Sequence, residues 1–417
     1  MIAYKDKNQQ KIMLLKIYSA FVFLALLGLR VLRLLSKKAK SMLRERKEDF
    51  ASLLPRIQAL DANKNKLWLH AASAGEYEQI KPILDKIDRS EWNTILTVFS
   101  STIYQHAKND HRADIVTYLP FDTKRNARKF VRLISPEKWV ISRHDLWPYH
   151  LIAAKNFGAK TALINANLHR NSRRFLLTAF HKNLFKNVDA VFTMNSISAK
   201  RWAQFCDKEK IVVAGDTRFD QIVRRKQKFS GFAQLENSTS IVFASLLKSD
   251  EPIVFPVIRQ LLKDRPKCLI VLVPHEPDKK SIRRYVNFLE RSNATYSKWS
   301  RFQKDKQILL IDVVGVLPDI YRHTNIAYVG GGFGAGVHSV IEPAVYENFI
   351  AFGPNFGILE EAIELVNLGF VQVVQTSESL LAFVNKSCGE KRNVAVSSFV
   401  NEKTGAVDKI LKWINND

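Results

Sequence analysis

The sequence is poor in cysteine. Its 417 residues include only three, Cys206, Cys268 and Cys388, and no two of them form a CxxC pair. Neither a disulfide framework nor a cysteine-based zinc site is therefore predicted, and a reducing cytosol fits the composition.

Several catalytic signatures are also missing. The chain has no P-loop with its Lys-Ser/Thr pair, no G-x-S-x-G nucleophile elbow and no paired-carboxylate glycosidase pattern, which argues against nucleotide triphosphates and against hydrolysis. It has no RNP-like aromatic motif or zinc finger, so nucleic acid is not a predicted partner. Its polar clusters lack metal-ligand spacing, so we expect no metal and no cofactor.

Positive charge is abundant, with 64 Lys and Arg against 40 Asp and Glu and a net charge of +24. Residues 1–50 hold twelve of these cations against four acids. An uncharged apolar run, Ile17 to Leu29, lies within this segment, and snorkelling Lys16, Arg30 and Arg33 could extend its usable length. The segment predicts an N-terminal anchor helix at an anionic membrane surface, with the body kept cytoplasmic by the following cations. The alternative is a surface helix packed on the protein itself.

From residue 67 onward, short apolar runs alternate with longer amphipathic stretches, which indicates β–α units around parallel sheets. A polar stretch at 221–238 interrupts this rhythm, so we predict an α/β chain with two Rossmann-like, doubly wound domains at 51–225 and 226–417. Ligands of such domains bind at strand carboxyl ends, which predicts a cleft between the domains.

The first candidate site follows the apolar run that ends near His70. Small residues, including Ser73 and Gly75, allow close approach of a ligand, and Glu76 lies in the first turn of the next helix. A carboxylate there could act as a general base, or it could simply favour the helix dipole.

The second candidate site is a glycine-rich loop after an apolar strand, containing Gly331, Gly332, Gly334 and Gly336. Such a loop can cradle a phosphate, although tight turns are also glycine-rich. The loop leads into His338, Ser339 and Glu342, and Glu342 lies one helical turn after His338. Two further segments place polar residues at strand ends, namely His275 in Pro274–Pro277, and Arg143 with Asp145 before Leu146-Trp147-Pro148.

Taken in order, these segments resemble the transferases of 3-deoxy-D-manno-octulosonic acid (Kdo), over nearly the whole chain. The family motif W-x-H-A-x-S-x-G-E is similar to Trp68–Glu76, and its late G-G-H-N-x-x-E-P motif is similar to the His338–Pro343 segment, with Asn355 following. The usual E-T-E before L-W-P is here Arg143-His144-Asp145, and Ser339 replaces the usual Asn.

The resemblance implies an inverting glycosyltransferase of the GT-B fold on the cytoplasmic face of a bacterial inner membrane, with CMP-Kdo as donor and a lipid A precursor as acceptor in lipopolysaccharide biosynthesis. It implies that Glu76 is the catalytic base and that no metal is needed. Donor-binding residues would be His275, Gly331, Gly332, Gly334, Gly336, His338, Ser339, Glu342 and Asn355. Acceptor-binding residues would be Ser73, Gly75, Ser101, Arg143 and Asp145.

Two other functions remain open from the residues. One is a glycosyltransferase of the same fold that uses another nucleotide sugar, such as a UDP-hexosamine, for envelope polysaccharide. The other is a non-catalytic basic protein that binds polyanions through its +24 charge.

Overall fold

Two seven-stranded parallel sheets organise the chain. The computed structural model describes residues 2–143, 146–168, 178–228, 232, 235, 240–390 and 392–416, with side chains from residue 13 onward apart from Ala179. The chain divides into a first unit, Met1–Gln221 with Thr404–Asp417, and a second unit, Ile222–Lys403. The predicted α/β class with two Rossmann-like domains is confirmed.

The sheet of the first unit has the strand order β3-β2-β1-β4-β5-β6-β7, and its neighbouring strands pair in parallel. Its central strands are buried along nearly their whole length, as expected when helices cover both faces of a sheet. The strands are β1 Asn65–Ala71, β2 Trp92–Val98, β3 Ile115–Tyr118, β4 Lys138–Ser142, β5 Lys160–Ala166, β6 Ala190–Thr193 and β7 Ile211–Val213.

Helices connect these strands and cover the sheet. They are α1 Ile2–Leu35, α2 Lys37–Gln58, α3 Ala74–Lys86, α4 Ser101–Asp110, α5 Lys124–Ile134, α6 Pro148–Phe157, α7 Thr178–Phe185, α8 Ser196–Trp202 and α9 Thr217–Lys228. Their apolar stripes pack onto the sheet and form the buried core of the unit.

The sheet of the second unit has the order β10-β11-β9-β8-β12-β13-β14, again all parallel. Its strands are β8 Ser240–Leu246, β9 Leu269–Pro274, β10 Tyr296–Lys298, β11 Ile308–Leu310, β12 Ile326–Val329, β13 Phe349–Phe352 and β14 Val371–Val373. Its helices are α10 Glu251–Asp264, α11 Lys279–Arg291, α12 Leu317–Ile320, α13 Ile341–Val345, α14 Glu360–Asn367, α15 Ser377–Ser387 and α16 Val394–Glu402.

The last helix, α17 Ala406–Asn415, returns to the first unit. Its buried side chains Ala406, Val407, Ile410 and Ile414 follow a helical spacing and join the core beneath β1 and α3. The prediction that 226–417 forms one domain is therefore wrong for the final residues, because the apolar stripe of α17 is covered by the first unit. The chain passes between units inside α9, after Gln221.

Helix α2 ties the basic N-terminal segment into the first unit. The Arg46 guanidinium donates to the carbonyls of Leu119 (2.9 Å) and Phe99 (2.5 Å), and burial lowers its pKa to about 10. One turn later, Asp49 accepts hydrogen bonds from the Thr117 hydroxyl and the Tyr118 amide. A boundary at residue 50 would thus cut a helix that is part of the first core, and the predicted separate 1–50 segment is wrong in that respect.

Helix α1 contains the stretch Met13–Leu35, which is long and apolar enough to cross a membrane and has no buried residue. The first turns of this stretch contact the rest of the first unit. The Tyr18 hydroxyl donates to Asp122 (2.8 Å), the Tyr149 hydroxyl donates to the carbonyl of Leu15 (3.2 Å), and Ser19 contacts Tyr149. The predicted N-terminal apolar helix is confirmed as a structural element.

Candidate functional site

In the first unit, strand order reverses between β1 and β4, which lie side by side although they are not consecutive. Ligands of doubly wound sheets bind outside the carboxyl ends of strands at such a switch point. The chain leaving β1 carries Ser73, Gly75 and Glu76, and the chain leaving β4 carries Arg143. The structure therefore places these four predicted residues at one edge of the sheet, at the switch point where doubly wound sheets usually bind ligands.

Glu76 and Ser73 form a reciprocal capping box at the start of α3. Oε2 of Glu76 accepts from the amides of Ala72 (2.7 Å) and Ser73 (3.2 Å), and the Ser73 hydroxyl accepts from the Glu76 amide (3.3 Å). The cap fixes the carboxylate at the helix start. A carboxylate offers about four acceptor sites, so two amide contacts are compatible with an additional role in proton transfer.

Arg143 adopts a left-handed backbone with φ 58°, which is uncommon for a side chain of its size. Its Nε is shielded from solvent and has no hydrogen-bond partner among the described residues. Asn165, at the end of the adjacent β5, also has a positive φ, of 49°. Strained backbone of this kind clusters at functional sites. Predicted residue Ser101 begins α4 after β2, on the other side of β1, whereas Asp145 lies outside the described residues.

A buried hydrogen-bond chain beside this edge was not predicted. Nε1 of Trp147 donates a hydrogen bond to Nε2 of His70 (3.3 Å). Nδ1 of His70 is then the ring nitrogen that carries hydrogen, and it donates a hydrogen bond to the Thr97 hydroxyl oxygen (2.9 Å). Trp68 donates to the same hydroxyl (2.8 Å). The chain orients Trp147, which also stacks on Phe99 with ring centroids 5.2 Å apart. The one available signal was that Trp68 and His70 are two residues apart on β1 and so share a face.

In the second unit, strand order reverses between β8 and β12, and the glycine-rich loop leaves the end of β12. The loop folds onto itself, because the amides of both Gly334 (2.9 Å) and Gly336 (3.1 Å) donate to the Gly331 carbonyl. Gly331 has φ +93°, and a Cβ there would lie 2.3 Å from the Gly336 carbonyl oxygen. The turn therefore requires glycine at position 331.

Several amides of the loop therefore donate hydrogen bonds within the loop and cannot donate to a ligand. Those of Gly332, Phe333, Ala335 and Ser339 have no hydrogen-bond partner in the described part of the chain. The Asn355 amide group donates to the Gly334 carbonyl (3.1 Å), and the Asn355 backbone amide donates to the carbonyl of Gly332 (2.8 Å). If the loop binds a phosphate as predicted, only these few unpartnered amides of the described residues can donate to it.

His275 and His338 meet at this edge, although they are far apart in sequence. Their rings stack with centroids 4.3 Å apart and an angle of 13° between their planes. Burial lowers the pKa of His338, and the neighbouring His275 lowers it further. Nε2 of His338 is shielded from solvent and has no partner among the residues that the structure describes. The lowered pKa favours the neutral ring, and its unpartnered nitrogen is a candidate contact for a ligand group.

The remaining predicted donor-binding residues lie close by in sequence. Ser339 follows His338 and is half-buried, and Glu342 lies in the single-turn helix α13. The charge of Glu342 acts on the buried Tyr321 hydroxyl, whose pKa burial raises well above its ordinary value. The second unit thus collects His275, the loop glycines, His338, Glu342 and Asn355.

Asp250 holds the loop in place and was not predicted. It is fully buried, and its Oδ2 accepts from the amides of Gly331 (2.9 Å) and Leu247 (2.8 Å), while Oδ1 accepts from the Tyr328 hydroxyl (3.0 Å). An Asp immediately before Glu-Pro at a helix start was the available signal. It indicated a cap, not a contact with residue 331.

The described residues contain no group of three or more His, Cys, Asp or Glu side chains placed to hold a metal ion. Metal independence stays a prediction. Burial raises the pKa of the Cys206 and Cys268 thiols to about 11, which disfavours the thiolate needed for nucleophilic chemistry.

Comparison with solved structures defines the fold. A UDP-GlcNAc 2-epimerase from Neisseria meningitidis, solved with UDP-GlcNAc bound, aligns with a TM-score of 0.60 over 84% of this chain and 100% of its own, at 13% identity. At that identity the likeness concerns the fold alone. The chain has the GT-B fold, with two Rossmann-like domains and an apolar N-terminal helix.

Sequence comparison finds similarity to one family of transferases. The family model described as 3-Deoxy-D-manno-octulosonic-acid transferase (kdotransferase) matches residues 44–221. The 3-deoxy-D-manno-octulosonic acid transferase of Chlamydia muridarum is 28% identical over 76% of this chain and 77% of its own. The corresponding transferase of Chlamydophila psittaci is 29% identical over 72% of each chain. The chain is thus similar to the Kdo transferase family model over residues 44–221, and to these two transferases over 72–76% of its length.

Proposed function

We propose that the protein transfers Kdo from CMP-Kdo to a hydroxyl of a lipid A precursor, lipid IVA, with inversion at the anomeric carbon. The observation that carries this proposal is Glu76, which occupies the switch point of the first unit inside the family motif. Similarity to the Kdo transferase family supports the sugar, and the histidine-lined loop of the second unit supports a separate donor site.

In the proposed reaction, the carboxylate of Glu76 removes the proton from the acceptor hydroxyl. The oxygen attacks the anomeric carbon of Kdo from the face opposite the phosphate, and the bond from that carbon to CMP breaks with its electron pair leaving on CMP. The capping box holds Glu76 before substrate arrives, so little reorganisation is needed at the moment of transfer. Ser73, Gly75, Ser101, Arg143 and Asp145 would bind the acceptor, with Arg143 suited to a phosphate or a carboxylate.

The donor would bind in the second unit. His338, through its shielded Nε2, and the unbonded amides at the loop tip would contact the phosphate or carboxylate of CMP-Kdo. Glu342 would accept hydrogen bonds from the ribose hydroxyls. His275 would support His338 by stacking, and CMP would leave without help from a metal.

The donor assignment is tested by calorimetry with two nucleotides. We expect CMP to bind the full-length protein and UDP-N-acetylglucosamine to show no measurable heat of binding. Binding of the UDP-sugar with no affinity for CMP would contradict the proposal and favour the alternative in which this fold uses another donor.

We also propose that α1 attaches the protein to the cytoplasmic face of the inner membrane. Its contacts through Leu15, Tyr18 and Ser19 keep the early turns against the first unit. The fifteen residues that follow Ala20 extend roughly 22 Å at 1.5 Å each. A hydrocarbon core is roughly 30 Å thick, so these contacts favour a helix that lies in the membrane interface over one that spans it.

A further inference from the structure

Helix α5 presents a continuous cationic face. Its exposed cations share one side of the helix, while its opposite side is buried in the first core through Ala127, Phe130, Val131 and Ile134. The helix contains no acidic residue. We call its exposed cations the α5 basic face: Lys124, Arg125, Arg128, Lys129 and Arg132.

None of these five side chains forms an ion pair with a carboxylate within the described ranges. Other cations of the first unit do form ion pairs, for example Arg44 with Glu48, Arg112 with Asp85 and Lys155 with Asp189. The acid nearest to α5 in sequence, Asp122, is buried, and its oxygens accept from the amides of Tyr149 and His150 and from the Tyr18 hydroxyl. Among the described residues, the α5 basic face therefore has no ion-paired carboxylate as a counterion.

This arrangement is unfavourable for the isolated helix. Cations four residues apart repel one another, as Lys124 and Arg128 do, and so do Arg128 and Arg132. Lys124 and Arg125 also lie in the first turn, where the helix dipole disfavours positive charge. An external anionic surface would remove both penalties, because it supplies the missing counterions.

The α5 basic face begins beside the apolar helix α1. Tyr18 of α1 bonds Asp122, two residues before α5, and its ring lies 5.9 Å from that of Tyr149 at the start of α6. Beyond this contact, α1 exposes large apolar side chains, namely Phe21, Phe23, Leu24, Leu27 and Val31. A membrane surface combines the two chemistries that these neighbouring elements present, an apolar layer and an anionic headgroup layer.

We propose that the α5 basic face binds anionic phospholipid headgroups at the bilayer surface into which α1 inserts. The proposal rests on the membrane attachment proposed above and deepens it by naming the second contact. Nucleic acid shares the required charge but offers no partner for the exposed apolar side chains of α1.

The test measures binding of the full-length protein to vesicles of phosphatidylcholine alone and of phosphatidylcholine with about one-third phosphatidylglycerol. The first variant changes Arg125→Gln, Arg128→Gln and Arg132→Gln. The matched control changes Lys279→Gln, Lys280→Gln and Arg283→Gln on α11, which are also exposed and have no ion-pair partner in the part of the chain described. CMP affinity and the thermal midpoint of each variant check its folding.

Each cation near an anionic surface changes binding roughly fivefold, so the α5 variant should bind anionic vesicles on the order of 100-fold more weakly. It should bind neutral vesicles as the unchanged protein does, and the α11 control should match the unchanged protein on both. Equal losses in the two variants, or equal binding of the unchanged protein to both vesicles, would overturn the proposal.

Two further outcomes separate the possible partners and the two proposals. If a single-stranded oligonucleotide displaces the unchanged protein from anionic vesicles and binds more tightly than they do, the face is a nucleic-acid contact and the proposal is overturned. If the α5 variant loses anionic binding as expected but the unchanged protein transfers no Kdo, the headgroup contact stands and the proposed enzymatic function fails.

Discussion

The two units share a plan and differ in what their switch points carry. Each has seven parallel strands and a reversal of strand order near its centre, between β1 and β4 in the first unit and between β8 and β12 in the second. The first reversal carries a carboxylate, Glu76, fixed by a capping box. The second carries a glycine-rich loop closed on itself beside the stacked rings of His275 and His338.

Under the proposed function, this difference gives the two sheets two different tasks. A short, capped helix start holds a single reactive group rigidly, which suits proton transfer. A folded glycine loop brings backbone and neutral imidazole close to a ligand, which suits binding of a phosphorylated group. Substitutions confined to one unit at a time separate the two tasks.

The largest expected effect comes from Glu76→Gln. Glutamine can still accept the capping hydrogen bonds but cannot take a proton, so transfer should fall by about 10²–10⁴-fold while the thermal midpoint and CMP affinity stay unchanged. Initial rates of Kdo transfer measure the effect. Glu78→Gln on the same helix is the control, because Glu78 pairs with Lys81 and should leave the rate unchanged. A normal rate in Glu76→Gln would remove the base assignment.

The second prediction concerns α17 and the limits of the first unit. Ile410 is fully buried in the core of that unit, so Ile410→Ala should lower its free energy of unfolding by about 2–5 kcal/mol. Urea unfolding measures this loss, with Lys412→Ala on the exposed side of the helix as the control. CMP affinity should not change in either variant. A loss of CMP binding with unchanged unfolding would instead place α17 with the second unit.

The third prediction concerns the second unit alone. Gly331→Ala introduces a Cβ where φ is +93° and the Gly336 carbonyl is 2.3 Å away, so it should strain the loop by about 1–3 kcal/mol. CMP affinity, measured by calorimetry, should fall about tenfold or more for such a strain. Gly357→Ala is the matched control, since a Cβ there meets no atom within 4 Å. Equal affinities in the two variants would show that the loop is not part of the donor site.

The smallest expected effect is a pH dependence from His338. Burial and His275 lower the pKa of this ring in the folded protein, so the unfolded chain takes up its proton first as pH falls. The contribution of a neutral His338 to stability should therefore be present above the ordinary value of 6.5 and should be lost as the pH falls below it. His338→Gln should flatten this part of the stability profile, as measured by urea midpoints between about pH 5 and pH 8. An unchanged profile would contradict the lowered pKa.

Much of the fold was predictable because buried parallel strands are continuous apolar runs. The short apolar runs predicted from residue 67 onward coincide with most strands of both sheets. Strand β10 was missed because Tyr296, Ser297 and Lys298 form no apolar run, and β14 is equally short, with Gln372 between two valines. The packing of α17 on the first unit was not predicted, because an apolar stripe on a helix does not indicate which sheet the helix covers.

The candidate site was predictable where residues lie in the segment that leaves the end of a strand, as Glu76 and His338 do. Chain order then places them at a sheet edge without further information. Partners that meet only in the folded chain were not predictable. Trp147 bonds His70 across 77 positions, and Asp250 bonds the Gly331 amide across 81.

The most direct test of Kdo transfer is the mass of the lipid product. The full-length protein is incubated with lipid IVA and a CMP-Kdo generating system, and the lipid is then analysed by mass spectrometry. We expect the acceptor mass to rise by one Kdo residue or a whole multiple of it, and Glu76→Gln to leave it almost unchanged. An unchanged lipid mass with the active preparation, or an addition that requires a UDP-sugar instead, would contradict the proposed function.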